Sequence, residues 1–191
     1  AEKVICVGVN YAKRHPVHGE LPPPEHISLF NKWPGALVGH LEPLIRPEGE
    51  AGDTFDYEGE LVVVIRTECR AVAKEDAFDV IAGYTILNDG SVRGWQKHSV
   101  PAGKNFTGSG SSGPCFVTAD EIADPHKLSL KLWVSGELRQ DLNTDDMGRT
   151  VQETVEFITW VTTMKPGDVI STGTNHVGLG PIQDGDTIEM E

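Results

Sequence analysis

The chain has 191 residues, which suits one domain with a single substantial core, and its 38% hydrophobic and 24% charged residues are ordinary for a globular protein. With 16 basic against 29 acidic residues the formal net charge is -13, a surface that repels nucleic acid and anionic lipid and carries no basic stripe to offset this. No apolar run approaches the roughly 20 residues a membrane span needs, so neither a nucleic acid nor a membrane is expected as a partner.

Twenty-one glycines and 12 prolines favour many short strands over a helical bundle. Cys6, Cys69 and Cys115 are odd in number and far apart, with no C-x-x-C pair. That spacing speaks for a reducing compartment, cytoplasm by default, and against a disulfide scaffold or thiolate zinc site. No secretory leader is expected, because Ala1-Glu2-Lys3-Val4 runs straight into a strand.

In chain order, residues 4–9 read as an opening strand ending at Asn10-Tyr11. Residues 12–27, with His15, His18, Glu20 and Pro22-Pro23-Pro24, read as a long loop, since consecutive prolines fit neither a helix nor a central strand. Short strands are expected at residues 28–30 and 36–38 around the Pro34-Gly35 turn, and a turn at residues 49–53. A continuous β-branched and aliphatic run, Leu61-Val62-Val63-Val64-Ile65, predicts a strand buried on both faces. Residues 74–82 fit a short helix with Asp76 and Asp79 outward and Ala77, Phe78, Val80 and Ile81 inward. Residues 83–87 form the next expected strand, residues 90–114 are mostly loop, and strands follow at 115–117, 128–134 and 169–171. A helix is predicted over 151–164, with Val151, Val155, Ile158 and Val161 at helical spacing and a turn at Lys165-Pro166-Gly167-Asp168. The expected fold is one β-rich α+β unit.

Glu58 and Glu60 lead into the buried run and, by strand alternation, point the same way as Val62 and Val64. Two like charges near an apolar interior repel and lose hydration, and a hard divalent cation bound through oxygen would compensate them. Alternatively, the strand start protrudes and both glutamates are solvated. Asp89 ends the strand at residues 83–87 and would join them if the two strands are neighbours, though Asn88-Asp89-Gly90 is also a common turn sequence. Three carboxylates suit Mg²⁺, Mn²⁺ or Ca²⁺ and leave positions for a bidentate oxygen ligand.

The ordered set Gly8-Val9-Asn10-Tyr11, Glu58-Gly59-Glu60-Leu61, Gly83-Tyr84-Thr85, Asn88-Asp89, Arg93, Gly103-Lys104-Asn105-Phe106 and Thr172-Gly173-Thr174 resembles the fumarylacetoacetate hydrolase family along nearly the whole chain. The resemblance implies that family's mixed β-sheet roll with a few short helices, and a dimer. It implies Glu58, Glu60 and Asp89 as ligands of Mg²⁺, or of Mn²⁺ with Ca²⁺ as a substitute. It implies Lys104 as a cation reaching the metal-bound substrate and Thr174 as a contact to the substrate carboxylate. Tyr11 is expected to line the pocket. Arg93 would orient acid groups or serve as an ion-pair partner, although the Asp that usually follows it is Gly94 here.

Family hydrolases activate water with a His and a nearby Glu on the loop after Asn-Tyr. His15 is the match for the His, while His18 or Val17 occupies the place of the Glu, leaving Glu20 as its replacement. His176 in Asn175-His176-Val177 is a second departure. The implied activity is metal-dependent C–C hydrolysis of an acylpyruvate such as fumarylpyruvate through a metal-stabilised enolate, of the kind met in aromatic-compound catabolism. The alternatives are decarboxylation or isomerisation of a 2-oxo diacid, a non-catalytic metal or ligand binder, and, least favoured, a zinc hydrolase using His15, His18 and His26. The family's last sheet normally continues past Thr187-Ile188-Glu189-Met190, so truncation at the C-terminus is also expected.

Overall fold

The computed structural model describes residues 1–11 and 24–191. His15, His18, Glu20 and most of the proline-rich loop lie outside the described residues. The first half of the chain supplies β1 (Val4–Val7), β2 (Leu29–Asn31), β3 (Leu37–Val38), β4 (Phe55–Asp56), β5 (Gly59–Ile65), β6 (Ile81–Asn88) and β7 (Ser91–Val92). The second half adds helix α1 (Val100–Lys104), β8 (Gly110–Ser112), β9 (Val117–Thr118), β10 (Ser129–Val134), β11 (Glu137–Asn143), helix α2 (Val151–Val161), β12 (Val169–Ser171) and β13 (Ile188–Met190).

Among the described residues, the main mixed sheet runs β2-β1-β12-β5-β6-β8-β3, with β9 also pairing β6. β5 lies antiparallel between β12 and β6, with Ser171 opposite Val62 and Gly59 opposite Asn88. A second sheet, β11-β10-β13, and the pair β4-β7 complete the β structure. This is the β-rich mixed-sheet fold that the sequence predicts.

The uninterrupted apolar run of β5 is explained by its position, since both faces are covered. Leu61, Val63 and Ile65 join Ile5, Tyr84 and Ile170 against Val151, Val155 and Ile158 of α2. On the opposite face Val62 packs with Val4, Cys6, Phe30 and Leu87. Burial of these side chains contributes about 1.5–3 kcal/mol each before the entropy cost of ordering them. α2 starts on a capping box, in which the Thr150 hydroxyl accepts from the Glu153 N–H and the Glu153 carboxylate accepts from the Thr150 N–H.

Several elements differ from expectation. The segment expected as an α-helix over 74–82 is a 3₁₀ helix, Lys74–Val80, and Ile81 already belongs to β6. Three residues per turn put Ala77 and Val80 on one line and turn Phe78 outward, where it is 41% exposed. α2 stops at Val161, which is exposed, because Thr162 is already extended. The expected loop over 90–114 contains β7, a 3₁₀ turn at Arg93–Trp95, α1 and β8. The strand expected at 115–117 forms at Val117–Thr118. β11 was not anticipated: its outward Glu137 and Asp141 mask an inner row in which Gln140 and Leu142 are buried.

Candidate metal and acid–base site

The site lies where β5 begins and β6 ends, beneath the end of α1. Glu58 immediately precedes β5 and Glu60 is its second residue, while antiparallel pairing sets Asn88 across from Gly59. The Asp89 N–H donates to the Glu58 carbonyl at 2.8 Å, and the Glu58 N–H donates to Asn88 Oδ1 at 3.1 Å. These bonds fix Asp89 beside the two glutamates. Gly90 must follow, because a Cβ there would sit 1.8 Å from the Ser109 carbonyl oxygen.

The three carboxylates do converge: one oxygen from each lies within 4.8 Å of the others, and all three residues are buried. The reading with both glutamates solvated is thereby excluded. Glu58 is 2%, Glu60 1% and Asp89 0% exposed.

Three cations are threaded among them. Lys104 Nζ, on the last residue of α1, donates to Glu58 Oε2 at 2.5 Å and to Asp89 Oδ2 at 2.9 Å, and lies over the Phe30 ring. Arg93 bridges Asp56 Oδ2 at 2.9 Å and Glu58 Oε1 at 2.6 Å. Lys32, which the sequence reading passed over, reaches Asp89 Oδ1 at 2.6 Å. The signal for it was the alternation of β2, which places Lys32 on the same side as buried Phe30. A lysine following an asparagine at a strand end nevertheless reads as solvent-facing.

Glu60 is treated differently from Glu58. Its Oε2 accepts from the Ser171 hydroxyl at 2.5 Å and the Gly173 N–H at 2.9 Å, with no ion pair among the described residues. Gly173 can present that N–H because its φ of +88° suits glycine. Burial, reinforced by Asp89 and Glu58, pushes the Glu60 carboxyl up to about 8. Burial acts the same way on Glu58, but Lys104 and Arg93 outweigh it and hold that carboxyl well below its ordinary value. Burial would lower Lys104, yet Asp89 and Glu58 raise it, so its ammonium stays charged.

The donor set suits a hard divalent cation. Glu58 Oε1 is buried and, although paired in charge with Arg93, has no aligned hydrogen-bond donor among the described residues. Among the described residues four acids, Asp56, Glu58, Glu60 and Asp89, meet three cations, Lys32, Arg93 and Lys104, an excess of one negative charge when all are ionised. Oxygen ligands with excess negative charge are what Mg²⁺, Mn²⁺ and Ca²⁺ require.

The other expected residues fall as follows. Tyr11 is fully buried against Leu130 and Leu142, and its hydroxyl has no partner among the described residues. Arg93 is ion-paired with both Asp56 and Glu58. The Thr174 hydroxyl accepts from Gln140 Nε2 at 3.0 Å and donates to the Asn175 carbonyl at 3.2 Å. Gln140 was also missed. Its Oε1 accepts from the Gly59 N–H at 2.9 Å, so one buried amide from the second sheet connects the start of β5 to Thr174. His176 Nε2 stands 3.5 Å from Glu58 Oε1 at the rim, whereas His26 is exposed and apart from the acidic cluster.

A mixed sheet with buried carboxylates and lysines at its strand ends presents an oxygen cluster of the kind that can hold a divalent cation. The chain belongs to the fumarylacetoacetate hydrolase family, matching its C-terminal family over residues 3–191. It is 38% identical over 180 residues to the mitochondrial oxaloacetate tautomerase of Xenopus laevis, covering 91% of this chain and 54% of that relative. The structure is similar to that of 2-hydroxyhepta-2,4-diene-1,7-dioate isomerase from Mycobacterium marinum, with a TM-score of 0.86, 36% identity, and coverage of 100% of this chain and 70% of the other. It is also similar to maleylpyruvate hydrolase from Sphingobium sp. SYK-6 in complex with manganese(II) and pyruvate, with a TM-score of 0.84, 37% identity, and coverage of 99% and 65%. The chain thus spans roughly half to three quarters of the length of curated relatives.

Proposed function

We propose that this chain carries the centre of a divalent-metal-dependent enzyme that cleaves a C–C bond in a small 2,4-dioxo acid, an acylpyruvate such as fumarylpyruvate, by hydrolysis. The observation that carries the reading is the burial of Glu58, Glu60 and Asp89 around one point, with Lys104 bonded to two of them. Glu58, Glu60 and Asp89 would hold the cation. Bound there, it would supply Lewis-acid polarisation of the substrate's 2-oxo group and neutralise its carboxylate.

Lys104 contributes a fixed positive charge where negative charge develops on the substrate oxygen. Its ammonium is held in place by ion pairs with Glu58 and Asp89. Addition of water to the far carbonyl, followed by scission, yields a carboxylic acid and pyruvate, whose methyl carbon takes up the proton. The water-activating pair we assign is His15 with Glu20. With all four acids ionised, a bound divalent cation would leave the described cluster with one positive charge in excess. That reconciles an anionic substrate with a chain whose net charge is -13.

A second reading, isomerisation or tautomerisation of a 2-oxo diacid, is favoured by the likeness to the Xenopus tautomerase and the Mycobacterium marinum isomerase. It needs the cation centre and Lys104 but no activated water. The two are separated by assaying acylpyruvates and oxaloacetate with added Mg²⁺ or Mn²⁺, in the parent and in His15→Ala. Hydrolysis lost in His15→Ala, with proton exchange at the carbon next to the 2-oxo group retained, supports the hydrolase. Turnover that survives exhaustive chelation would overturn the metal-dependent reading altogether.

A further inference from the structure

We propose that Lys32 is a positioning residue for the cation centre, fixing the Asp89 carboxylate and the end of α1 without touching substrate; this rests on the assignment of Glu58, Glu60 and Asp89 as the ligands. Lys32 is 1% exposed, and its ammonium makes three contacts: Asp89 Oδ1 at 2.6 Å, the Lys104 carbonyl at 2.6 Å and the Gly90 carbonyl at 3.2 Å. An ammonium has three N–H donors, so these acceptors use all of them and leave none for a ligand.

The consequence for Asp89 is a division of its two oxygens. Lys32 takes Oδ1 while Lys104 takes Oδ2, so the carboxylate is held from both sides and cannot rotate freely. The bond to the Lys104 carbonyl secures the last residue of α1, from which the Lys104 side chain projects. One buried charge therefore sets the aim of a candidate metal ligand and of the cation beside it. Groups that orient metal ligands typically change affinity by about 10- to 100-fold when removed.

A purely structural role for Lys32 is the competing reading, and a neighbouring contact makes it testable. The Asn105 side chain joins β2 to the end of α1 independently, accepting from the Trp33 N–H at 2.6 Å and donating to the Asn31 carbonyl at 2.9 Å. It fastens the same two elements without approaching Asp89.

The experiment compares Lys32→Met, Lys32→Gln and Asn105→Ala with the parent in the full chain. Mn²⁺ affinity is read from the electron paramagnetic resonance signal of free Mn²⁺, and folding from circular dichroism and thermal melts. Lys32→Gln keeps amide donors near the two carbonyls, so a folded variant remains if Lys32→Met fails. The proposal expects folded Lys32 variants to bind Mn²⁺ about 10- to 100-fold more weakly. Asn105→Ala should melt earlier yet hold its Mn²⁺ affinity within about twofold, since only the β2–α1 connection is lost.

Unchanged or tighter Mn²⁺ binding in the Lys32 variants would overturn the proposal, because Lys32 would then be only a spectator or a competing charge. Equal loss of affinity in Asn105→Ala, or failure of both Lys32 variants to fold, would show that its role is structural. If the parent itself binds no Mn²⁺, the assignment of the centre fails instead, a result distinct from either.

Discussion

Replacing Glu60 with glutamine tests the electrostatics of the centre most directly. The substitution keeps an oxygen for the Ser171 hydroxyl and the Gly173 N–H, while removing a carboxyl that burial, Asp89 and Glu58 push from 4.5 to about 8. Between those two values the folded metal-free protein holds a proton that the unfolded chain has released. Rising pH therefore destabilises the fold by about 1.4 kcal/mol per pH unit through this one group. Across pH 5.5 to 7.5 the loss is on the order of 2 kcal/mol, and Glu60→Gln should not show it. Subtracting the variant's pH dependence from the parent's cancels the histidines and other groups common to both.

A cation must displace the same proton, so parent affinity should rise by up to about tenfold per pH unit below 8, with close to one proton released on binding. The assays are urea melts in chelator at both pH values, and Mn²⁺ calorimetry in two buffers of different ionisation enthalpy. The reasoning fails if metal-free parent and Glu60→Gln lose stability equally over this range. It also fails if the variant binds Mn²⁺ as tightly as the parent.

Asp89→Asn should abolish cation-induced thermal stabilisation and turnover while circular dichroism stays native, and metal-free melts should come earlier, because the one amide oxygen of Asn can accept from only one of Lys32 and Lys104. Lys104→Met should lower kcat by about 100- to 1,000-fold at saturating Mn²⁺, and an unchanged rate at saturation would remove Lys104 from the chemistry. Away from the site, buried Asp168 accepts from the Glu2, Lys3 and Lys165 N–H groups and from Lys3 Nζ. Burial opposes its charge, but these donors hold its carboxyl below the ordinary value. Its stabilisation is thus complete above the unfolded carboxylate range and disappears as pH falls through the folded value. Asp168→Asn should cost about 1–3 kcal/mol at pH 7 and less at pH 3, measured by denaturant melts. Thr150→Ala removes the hydroxyl of the α2 capping box and should cost about 1 kcal/mol in the same assay.

Local patterning in the sequence was enough for the strand-rich fold and the acidic ligand set. The β-branched run of β5 required cover on both faces, and alternation directed Glu58 and Glu60 into the interior with Val62. Asp89 stood at a strand end by sequence alone, though only the antiparallel pairing of β5 with β6 brought it to the glutamates. The 3₁₀ turn at Lys74–Val80 and the hidden inner row of β11 were illegible, because short elements take their geometry from what they pack against. Lys32 and Gln140 were illegible for a related reason. A lysine or glutamine is solvated by default, and burial becomes tolerable only when distant residues supply every hydrogen bond. Those partners lie 57 residues away for the Lys32–Asp89 pair and 81 for the Gln140–Gly59 contact. The sequence by itself determined which acids could meet. Tertiary structure decided which cations neutralise them and which one, Glu60, has no ion pair among the described residues, because charge compensation depends on neighbours in space and not along the chain.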